Sequence, residues 1–304
     1  VISFSALREA VNLAKKYFHQ KLLPGSAEDL LRESLADAVG RKKKILTADD
    51  VIAVAEKKVN IPIHKAGKEE AAKLLNLEAE IHQRFIDQEE AVGSVARALR
   101  EYRSGLSRKG GPIATFLFVG PTGVGKTELS KILAKIQFGS SEAMTRLDMS
   151  EYQDKSSIHR LLGMPDGSAT GNLIAAVTEK PYSLILLDEF EKAHPDILNI
   201  FLQVFDDGRL TDNLGRTVDF QNTIIIATSN AHSNFIQSEI AAGASVEKIS
   251  EQIKKKLTEY FRPELLNRFS DVVVFKPLSP EHIKAVAKIQ LAGLAATLME
   301  NQGI

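Results

Sequence analysis

The chain has 304 residues, which is long enough for two domains and a sizeable hydrophobic core. Its 39 Lys plus Arg balance 39 Asp plus Glu, so the composition offers no general attraction to nucleic acid or to an anionic membrane. Cysteine is absent, which excludes disulfides and thiol catalysis and leads us to expect a reducing, cytoplasmic location. No apolar run approaches the roughly 18 residues of a membrane span. The sequence begins at Val1 inside a predicted helix, with no visible signal peptide, so we expect it to be part of a longer chain.

Residues 1–57 are predicted to be mostly helical. Two apolar stripes have helical spacing: Leu7, Val11, Leu13 and Ala14 in the first, and Leu30, Leu31, Leu35 and Val39 in the second. Pro24-Gly25 separates the two helices, and Ser26 is the predicted cap of the second. Thr47 is expected to cap a third helix, with Asp50 at the reciprocal capping position. The basic run 41–44 is interpreted as a solvated helix end.

Residues 58–80 are predicted to form a linker, because Asn60-Ile61-Pro62-Ile63 favours extended backbone, and a helix is expected over about 68–84. Beyond residue 85, short apolar runs alternate with helical segments, which predicts an α/β fold with a mostly parallel sheet covered on both faces. The predicted strands are 114–119, 144–148, 183–187, 223–228 and 271–276. Ser279 and Pro280 then begin a final helix as N-cap and first helical residue.

A phosphate-binding motif lies between the first predicted strand and the helix that follows it. The segment fits G-x-x-x-x-G-K-[ST] and consists of Gly120, Pro121, Thr122, Gly123, Val124, Gly125, Lys126 and Thr127. Glycines allow close approach of the backbone to a ligand, and the loop amides together with the helix N-terminus attract phosphate. Lys126 is predicted to bridge the β- and γ-phosphates of ATP, and the Thr127 hydroxyl to ligate Mg²⁺.

Polar residues follow two further apolar strands. Asp188 is predicted to hold Mg²⁺, and Glu189 to orient or deprotonate the attacking water. Asn230 is a candidate for holding that water or sensing the γ-phosphate, although a turn-forming asparagine is also compatible with its position. Arg262 and Arg268 precede the last strand, where an arginine can act on a neighbouring subunit's nucleotide. From these residues alone, a surface ion pair is the safer interpretation of either arginine.

Five segments together resemble the second ATPase module of the Clp family of AAA+ protein unfoldases. They are GPTGVGKTELSK, TRLDMSEYQDK, PYSLILLDEFEKAH, LTDNLGRTVDFQNTIIIATSN and FRPELLNRFSDVVVFKPLS. The resemblance implies a three-layer α/β/α AAA+ fold, with a large ATPase domain at 81–276 and the start of a helical lid at 277–304. Residues 1–57 are similar to the helical small domain that closes the preceding module, with 58–80 as the linker.

The resemblance also implies roles for individual residues. Glu189 activates water, Asn230 is sensor 1, and Arg268 is the arginine finger that completes the next subunit's site in a hexamer. Ile86 contacts adenine, and Asp188 belongs to Walker B. The ring would pull an unfolded polypeptide through its centre. Its expected substrates are therefore proteins, and no nucleic-acid or membrane partner is expected.

Several features differ from the family pattern. The loop 163–171 is shorter than the family's substrate-gripping loop and has no tyrosine, so the grip is expected to differ. No tripeptide of the peptidase-docking type lies between Asn230 and Phe261, so a peptidase partner is not supported. No long coiled coil separates the two parts, and the family's sensor 2 would lie beyond Ile304. Two alternatives therefore stay open: a nucleic-acid-associated AAA+ motor, and a nucleotide-binding assembly module with little turnover.

Overall fold

The computed structural model describes residues 1–18, 21–59, 74–105 and 110–302. The chain separates into two compact units, with a boundary in the sequence between residues 67 and 68. Within the described residues, no helix is both long and apolar enough to cross a membrane.

In the described residues, the first unit contains three helices: α1 (Phe4–Tyr17), α2 (Gly25–Gly40) and α3 (Ala48–Val59). The predicted reciprocal role of Asp50 at the start of α3 is confirmed, because the Thr47 amide donates to Asp50 Oδ2 at 3.1 Å. The Thr47 hydroxyl also donates to this carboxylate oxygen, at 2.8 Å, instead of accepting a bond from the helix backbone as an N-cap side chain does. The basic run 41–44 is exposed just after α2, as predicted, and Lys43 pairs with Asp50.

The predicted apolar stripes of this unit are partly wrong. Leu7, Val11 and Val39 are 41%, 46% and 71% exposed, so they lie outside the core. The core is formed instead by smaller neighbours one position earlier, together with the larger residues of the same faces: Ala6, Ala10, Leu13, Leu30, Ala38, Leu46, Val51, Val54 and Ala55. Alanine at a helix contact lets two helix backbones approach closely, whereas our prediction favoured the bulkier side chain on each turn.

The cap predicted at Ser26 is also wrong. Helix α2 begins at Gly25 with Pro24 as its N-cap, and the Ser26 hydroxyl is buried without a hydrogen-bond partner among the described atoms. Most of the predicted linker, including Asn60–Ile63, lies outside the described residues. Of the helix expected over 68–84, the described part is α4 (Leu77–His82).

A five-stranded parallel sheet forms the centre of the second unit. Its strands are β1 (Ala114–Val119), β2 (Met144–Asp148), β3 (Leu184–Asp188), β6 (Ile224–Ser229) and β7 (Asp271–Val274). Their spatial order is β2-β3-β6-β1-β7. All five predicted strands are therefore confirmed, β1 and β2 with the predicted bounds and the other three with shifts of one or two residues at their ends.

Both faces of the sheet are buried, which explains why its central strands are continuous apolar runs. Alternate side chains point to opposite faces. On one face, Leu117, Ile185 and Ile225 join the main hydrophobic core. On the other, Phe116, Leu186 and Ile226 are equally inaccessible to solvent. The predicted α/β fold is confirmed.

The remaining elements connect and cover these strands. The helices are α5 (Glu89–Arg103), α6 (Lys126–Phe138), α7 (Ile158–Leu162), α8 (Asn172–Glu179), α9 (Pro195–Asp207), α10 (Ser233–Ala241), α11 (Val246–Lys256), α12 (Pro263–Leu266) and α13 (Pro280–Gln302). Ser279 Oγ accepts from the His282 amide at 3.2 Å, as expected of the predicted N-cap. An antiparallel hairpin of β4 (Arg209–Thr211) and β5 (Thr217–Asp219) was not predicted.

Candidate functional site

Strand order and register bring three polar strand ends together. β6 lies between β1 and β3, with Val119 opposite Ser229 and Leu187 opposite Ala227. The residues that follow these strands therefore emerge side by side at the carboxyl edge of the sheet. In open parallel sheets this edge is where ligands bind.

The glycines of the 120–127 loop are required by close backbone packing. Gly125 has φ +105°, and a Cβ added there would lie 2.8 Å from the Phe85 ring. A Cβ at Gly120 would lie 2.7 Å from the Phe275 carbonyl oxygen. Any side chain at either position would displace its neighbours, so the loop conformation depends on glycine.

Lys126 is buried at the start of α6, and its ammonium has several oxygen partners. It donates to the Gly120 carbonyl, to the Pro121 carbonyl at 2.9 Å and to Asn230 Oδ1 at 2.8 Å. Burial lowers the pKa of Lys126 to about 8, because desolvation disfavours the charged form, although the nearby carboxylates, Glu191 foremost, act in the opposite direction.

Asp188 ends β3 with both carboxylate oxygens engaged. Oδ1 accepts a hydrogen bond from the Thr228 hydroxyl, and Oδ2 accepts one from the Arg146 guanidinium on the neighbouring strand β2. These two contacts fix the carboxylate plane at the sheet edge. Neither Thr228 nor Arg146 was predicted, although a buried threonine near the end of an apolar strand is a signal that sequence inspection can find.

Glu189 follows Asp188 in the left-handed region, with φ 55° and ψ 48°. This conformation is uncommon for a residue other than glycine and occurs often at functional sites. It lets the side chains of Asp188 and Glu189 leave the backbone in different directions. The Glu189 amide donates to Thr228 Oγ1 at 3.2 Å, so the same threonine that contacts Asp188 also fixes the backbone of Glu189.

Asn230 is held at its backbone as well as at its side chain. Its amide donates to Glu191 Oε1 at 3.0 Å, and its carbonyl accepts from the Ser233 hydroxyl at 2.5 Å. Its side-chain oxygen accepts from Lys126. Glu191 was not predicted, although it is a third carboxylate two residues after Glu189.

These side chains border a cleft of about 510 Å³, which we call the P-loop cleft. Nine predicted site residues line it: Ile86, Thr122, Gly123, Val124, Gly125, Lys126, Thr127, Asp188 and Glu189. Asn230, also predicted, lines it too. Gly120 and Pro121 do not line the cleft, but their carbonyls accept hydrogen bonds from Lys126. Arg84, Arg146 and three residues of α13 line the cleft without having been predicted.

A second cleft, of about 580 Å³, adjoins the first and shares Glu189 and Asn230 with it. Its wall also contains Glu191, His232 and Tyr260. The two shared residues therefore lie at the junction of two solvent-accessible spaces.

Comparison with known proteins agrees with this geometry. The family model described as AAA domain (Cdc48 subfamily) matches residues 111–272, which is more than half of the chain. The chain belongs to this family. The chaperone protein ClpB of Vibrio vulnificus is 50% identical over 277 residues, covering 90% of this chain and 32% of that protein. The resemblance to the Clp family is thereby confirmed.

Solved structures give the same result for the AAA fold. A closed-state Hsp104 complex with ATPγS and FITC casein has a TM-score of 0.82 at 37% identity, covering 99% of this chain and 53% of that one. The Saccharomyces cerevisiae Hsp104–ADP complex has a TM-score of 0.78 at 38% identity, covering 96% of this chain and 52% of that one. This chain thus spans about a third of the matched ClpB and half of the matched Hsp104 chains.

Arg268 of this AAA chain does not line the P-loop cleft. Its Nε lies 2.5 Å from Asp206 Oδ1 at the end of α9, and the two side chains are 34% and 38% exposed. The fold therefore brings Lys126, Asp188 and Glu189 together but places Arg268 elsewhere. Arg262 is exposed just before α12.

The loop 163–171 is compact in spite of its many small residues. The Met164 amide donates to the Ala169 carbonyl at 2.9 Å, and Asn213 Nδ2 of the 212–216 turn donates to the Gly163 carbonyl at 2.5 Å. Met164 and Leu214 are 38% and 48% exposed. Two neighbouring loops thus each present one large apolar side chain to solvent.

Proposed function

We propose that this chain carries an ATP-hydrolysing module of a ring-forming, Clp-type protein unfoldase. The observation that carries the proposal is the convergence of Lys126, Asp188, Glu189 and Asn230 on one cleft of about 510 Å³. Phosphoryl transfer to water requires a cation, a carboxylate that binds the metal, a second carboxylate and an amide, and these four residues supply them in that order. Membership of the AAA family supports this assignment.

The residues present fit a nucleotide with Mg²⁺. Gly120 and Gly125 hold the loop against Phe275 and Phe85, and a Cβ at Gly123 would meet no atom within 4 Å, so the loop backbone there is open to a phosphate. The Thr127 hydroxyl and the Asp188 carboxylate offer the oxygen ligands that Mg²⁺ prefers. Bound MgATP would supply the phosphoanhydride bond to be cleaved and the metal charge that stabilises it.

The chain's own groups then have separate tasks. Lys126 contacts the β- and γ-phosphates, and its position at the N-terminus of α6 adds the helix dipole to its charge. Glu189 orients and deprotonates the attacking water. Asn230 holds that water or senses the γ-phosphate, and Ile86 at the cleft wall contacts the adenine ring.

The wider assembly is part of the same proposal. Residues 1–57 are the small domain of a preceding module, 58–80 a linker, 81–276 the large ATPase domain and 277–304 the start of the lid. Arg268, which is remote from its own P-loop cleft, completes the site of a neighbouring subunit in a hexamer. A cytoplasmic location stays a prediction.

Unfolded polypeptide is the proposed substrate. A similar Hsp104 structure is a complex with casein, an observation about that protein that suggests the class of substrate here. In this chain, the exposed Met164 and Leu214 take the place of the tyrosine expected at the gripping loop. Methionine is flexible and apolar, and it suits contact with varied sequences. A peptidase or nucleic-acid partner is not part of the proposal.

The deciding experiment measures ATP hydrolysis per subunit as a function of protein concentration, with Glu189→Gln as the control. We expect specific activity to rise steeply with concentration and the control to be inactive. Flat but real activity would contradict a site shared between subunits. Strong stimulation by DNA would instead favour the nucleic-acid motor.

The second candidate is an assembly module that binds nucleotide with little turnover. The pairing of Arg268 with Asp206 favours it, because an arginine held within its own subunit is not free to act on a neighbour. Nucleotide binding without hydrolysis at any concentration would support this alternative. Vigorous hydrolysis would exclude it.

A further inference from the structure

Glu191 combines two properties that none of the assigned roles explains. Its Oε1 accepts a hydrogen bond from the Asn230 backbone amide at 3.0 Å, while its Oε2 is buried and has no hydrogen-bond partner among the described atoms. Burying a carboxylate oxygen without a hydrogen bond costs free energy, which the charge of nearby Lys126 offsets in part. A carboxylate placed between Lys126 and the Asn230 backbone amide is therefore a candidate for a role at the site.

The segment that carries Glu191 is rigidly anchored. Phe190, its neighbour, is fully buried and stacks on Phe261 with ring centroids 5.6 Å apart. It also meets Phe201 edge-on at 5.3 Å. The Lys192 amide donates to the Glu189 carbonyl at 2.9 Å, which closes a turn around Glu191. The carboxylate is thus presented from a fixed backbone.

The hydrogen bond from the Asn230 backbone amide to Glu191 lies one residue beyond the end of the sheet. Strand β6 ends at Ser229, so the Asn230 amide has no strand partner and depends on Glu191. On its other side the Asn230 carbonyl is held by the Ser233 hydroxyl. These two contacts fix the backbone from which the Asn230 side chain reaches Lys126.

We infer that Glu191 is a positioning residue for ATP hydrolysis. It fixes the backbone of Asn230 and thereby the orientation of the Asn230 side-chain carboxamide. The inference rests on the proposed function. A bond from an amide to a charged carboxylate is stronger than one to a neutral acceptor, which suits a group that must hold an asparagine at the junction of two clefts.

The test is a double-mutant cycle with Glu191→Ala and Asn230→Ala in the full-length protein. Glu191→Ala is expected to lower kcat by about tenfold to hundredfold, the size that follows from losing a hydrogen bond to a charged group. The Kd of a fluorescent ADP analogue is expected to change less than about threefold, because direct phosphate contacts remain. In the Asn230→Ala background, removal of Glu191 is expected to have little further effect.

Two companion variants sharpen the result. Glu191→Gln keeps a neutral acceptor oxygen for the Asn230 backbone amide, so it is expected to recover part of the lost kcat. It also remains informative if Glu191→Ala fails to fold. Glu259→Ala is the matched control, because that exposed carboxylate lies 3.6 Å from His232 beside the second cleft and has no contact with Asn230.

Multiplicative losses in the double mutant, or an equal loss of ADP affinity, would overturn the inference while leaving the proposed function intact. Failure of the unsubstituted protein to hydrolyse ATP would overturn the proposed function and the inference together.

Discussion

Replacing Arg268 by alanine distinguishes a surface ion pair from a catalytic group supplied to a neighbour. The pair that it forms with Asp206 is about one-third exposed on each side, so its loss should lower the free energy of unfolding by about 0.2–1 kcal/mol. An arginine that stabilises phosphoryl transfer in trans is worth about 10³–10⁵ in kcat. The two interpretations therefore differ by several orders of magnitude in ATP turnover.

We expect Arg268→Ala to lower kcat at least about a thousandfold with a nearly unchanged melting temperature. Asp206→Asn is the matched control, because it breaks the same ion pair and leaves the guanidinium in place. It should retain most of the activity, since breaking the pair releases Arg268 for its neighbour.

Mixing two inactive proteins tests the direction of this effect. Arg268→Ala subunits retain Glu189, and Glu189→Gln subunits retain Arg268. A mixed ring contains sites with both groups, so ATP hydrolysis should reappear on mixing full-length Arg268→Ala and Glu189→Gln proteins. If the mixture hydrolyses no more ATP than the sum of its components, Arg268 does not act between subunits, and the reasoning from its remoteness is refuted.

Three further predictions concern other parts of the chain. Gly125→Ala should weaken the binding of a fluorescent ADP analogue at least about tenfold. The reason is that a left-handed φ costs roughly 1–2 kcal/mol for a residue with a Cβ, and that Cβ would also collide with Phe85. An unchanged affinity would contradict this prediction. Asp50 has a pKa lowered to about 2, chiefly by Lys43, so its stabilising effect is complete above its usual pKa of 3.8 and is lost as the pH falls toward 2. Asp50→Asn should therefore flatten the acid-unfolding curve followed by circular dichroism between roughly pH 4 and 2, and an unaltered curve would count against the pairing. Met164→Ser should reduce the stimulation of ATP hydrolysis by casein, and full stimulation would show that the loop does not grip substrate.

The centre of the sheet was predictable because β1, β3 and β6 are buried on both faces almost throughout. Such strands are continuous apolar runs, and β1 was predicted with the observed bounds of 114–119. The hairpin of β4 and β5 was missed because each strand has three residues. Its turn depends on Asp212, whose Oδ1 accepts the Leu214 and Arg216 amides at 2.9 and 2.8 Å. Hydrogen bonds from a turn backbone to one side chain produce no periodic pattern of apolar residues in the sequence.

The first unit shows a different limit. Our prediction placed Leu7 and Val11 on the buried stripe of α1 because their spacing is helical. In the structure the close-packed face belongs to Ala6 and Ala10. The two faces differ by one residue, or about 100° around the helix, and hydrophobicity alone ranks them in the wrong order.

At the site, motif spacing identified the groups at strand ends but not those that hold them. The contact of Arg146 with Asp188 depends on β2 lying beside β3, and the contact of Glu191 with Asn230 depends on β6 lying on the other side of β3. Strand order is a property of the folded sheet. A sequence with the same motifs in another order would lack both contacts.

The adjacent carboxylates Asp188 and Glu189 illustrate how this order produces function. Two acids next to each other in a strand would point to opposite faces of the sheet, both of which are buried. The strand ends instead at Asp188, and Glu189 turns into the left-handed region, so that both reach the cleft. Thr228 joins them, because its hydroxyl donates to Asp188 and accepts from the Glu189 amide. A single buried hydroxyl on β6 thus fixes the spacing between the proposed metal ligand and the proposed base, which gives the polar side chain of Thr228 a task next to the apolar part of the strand.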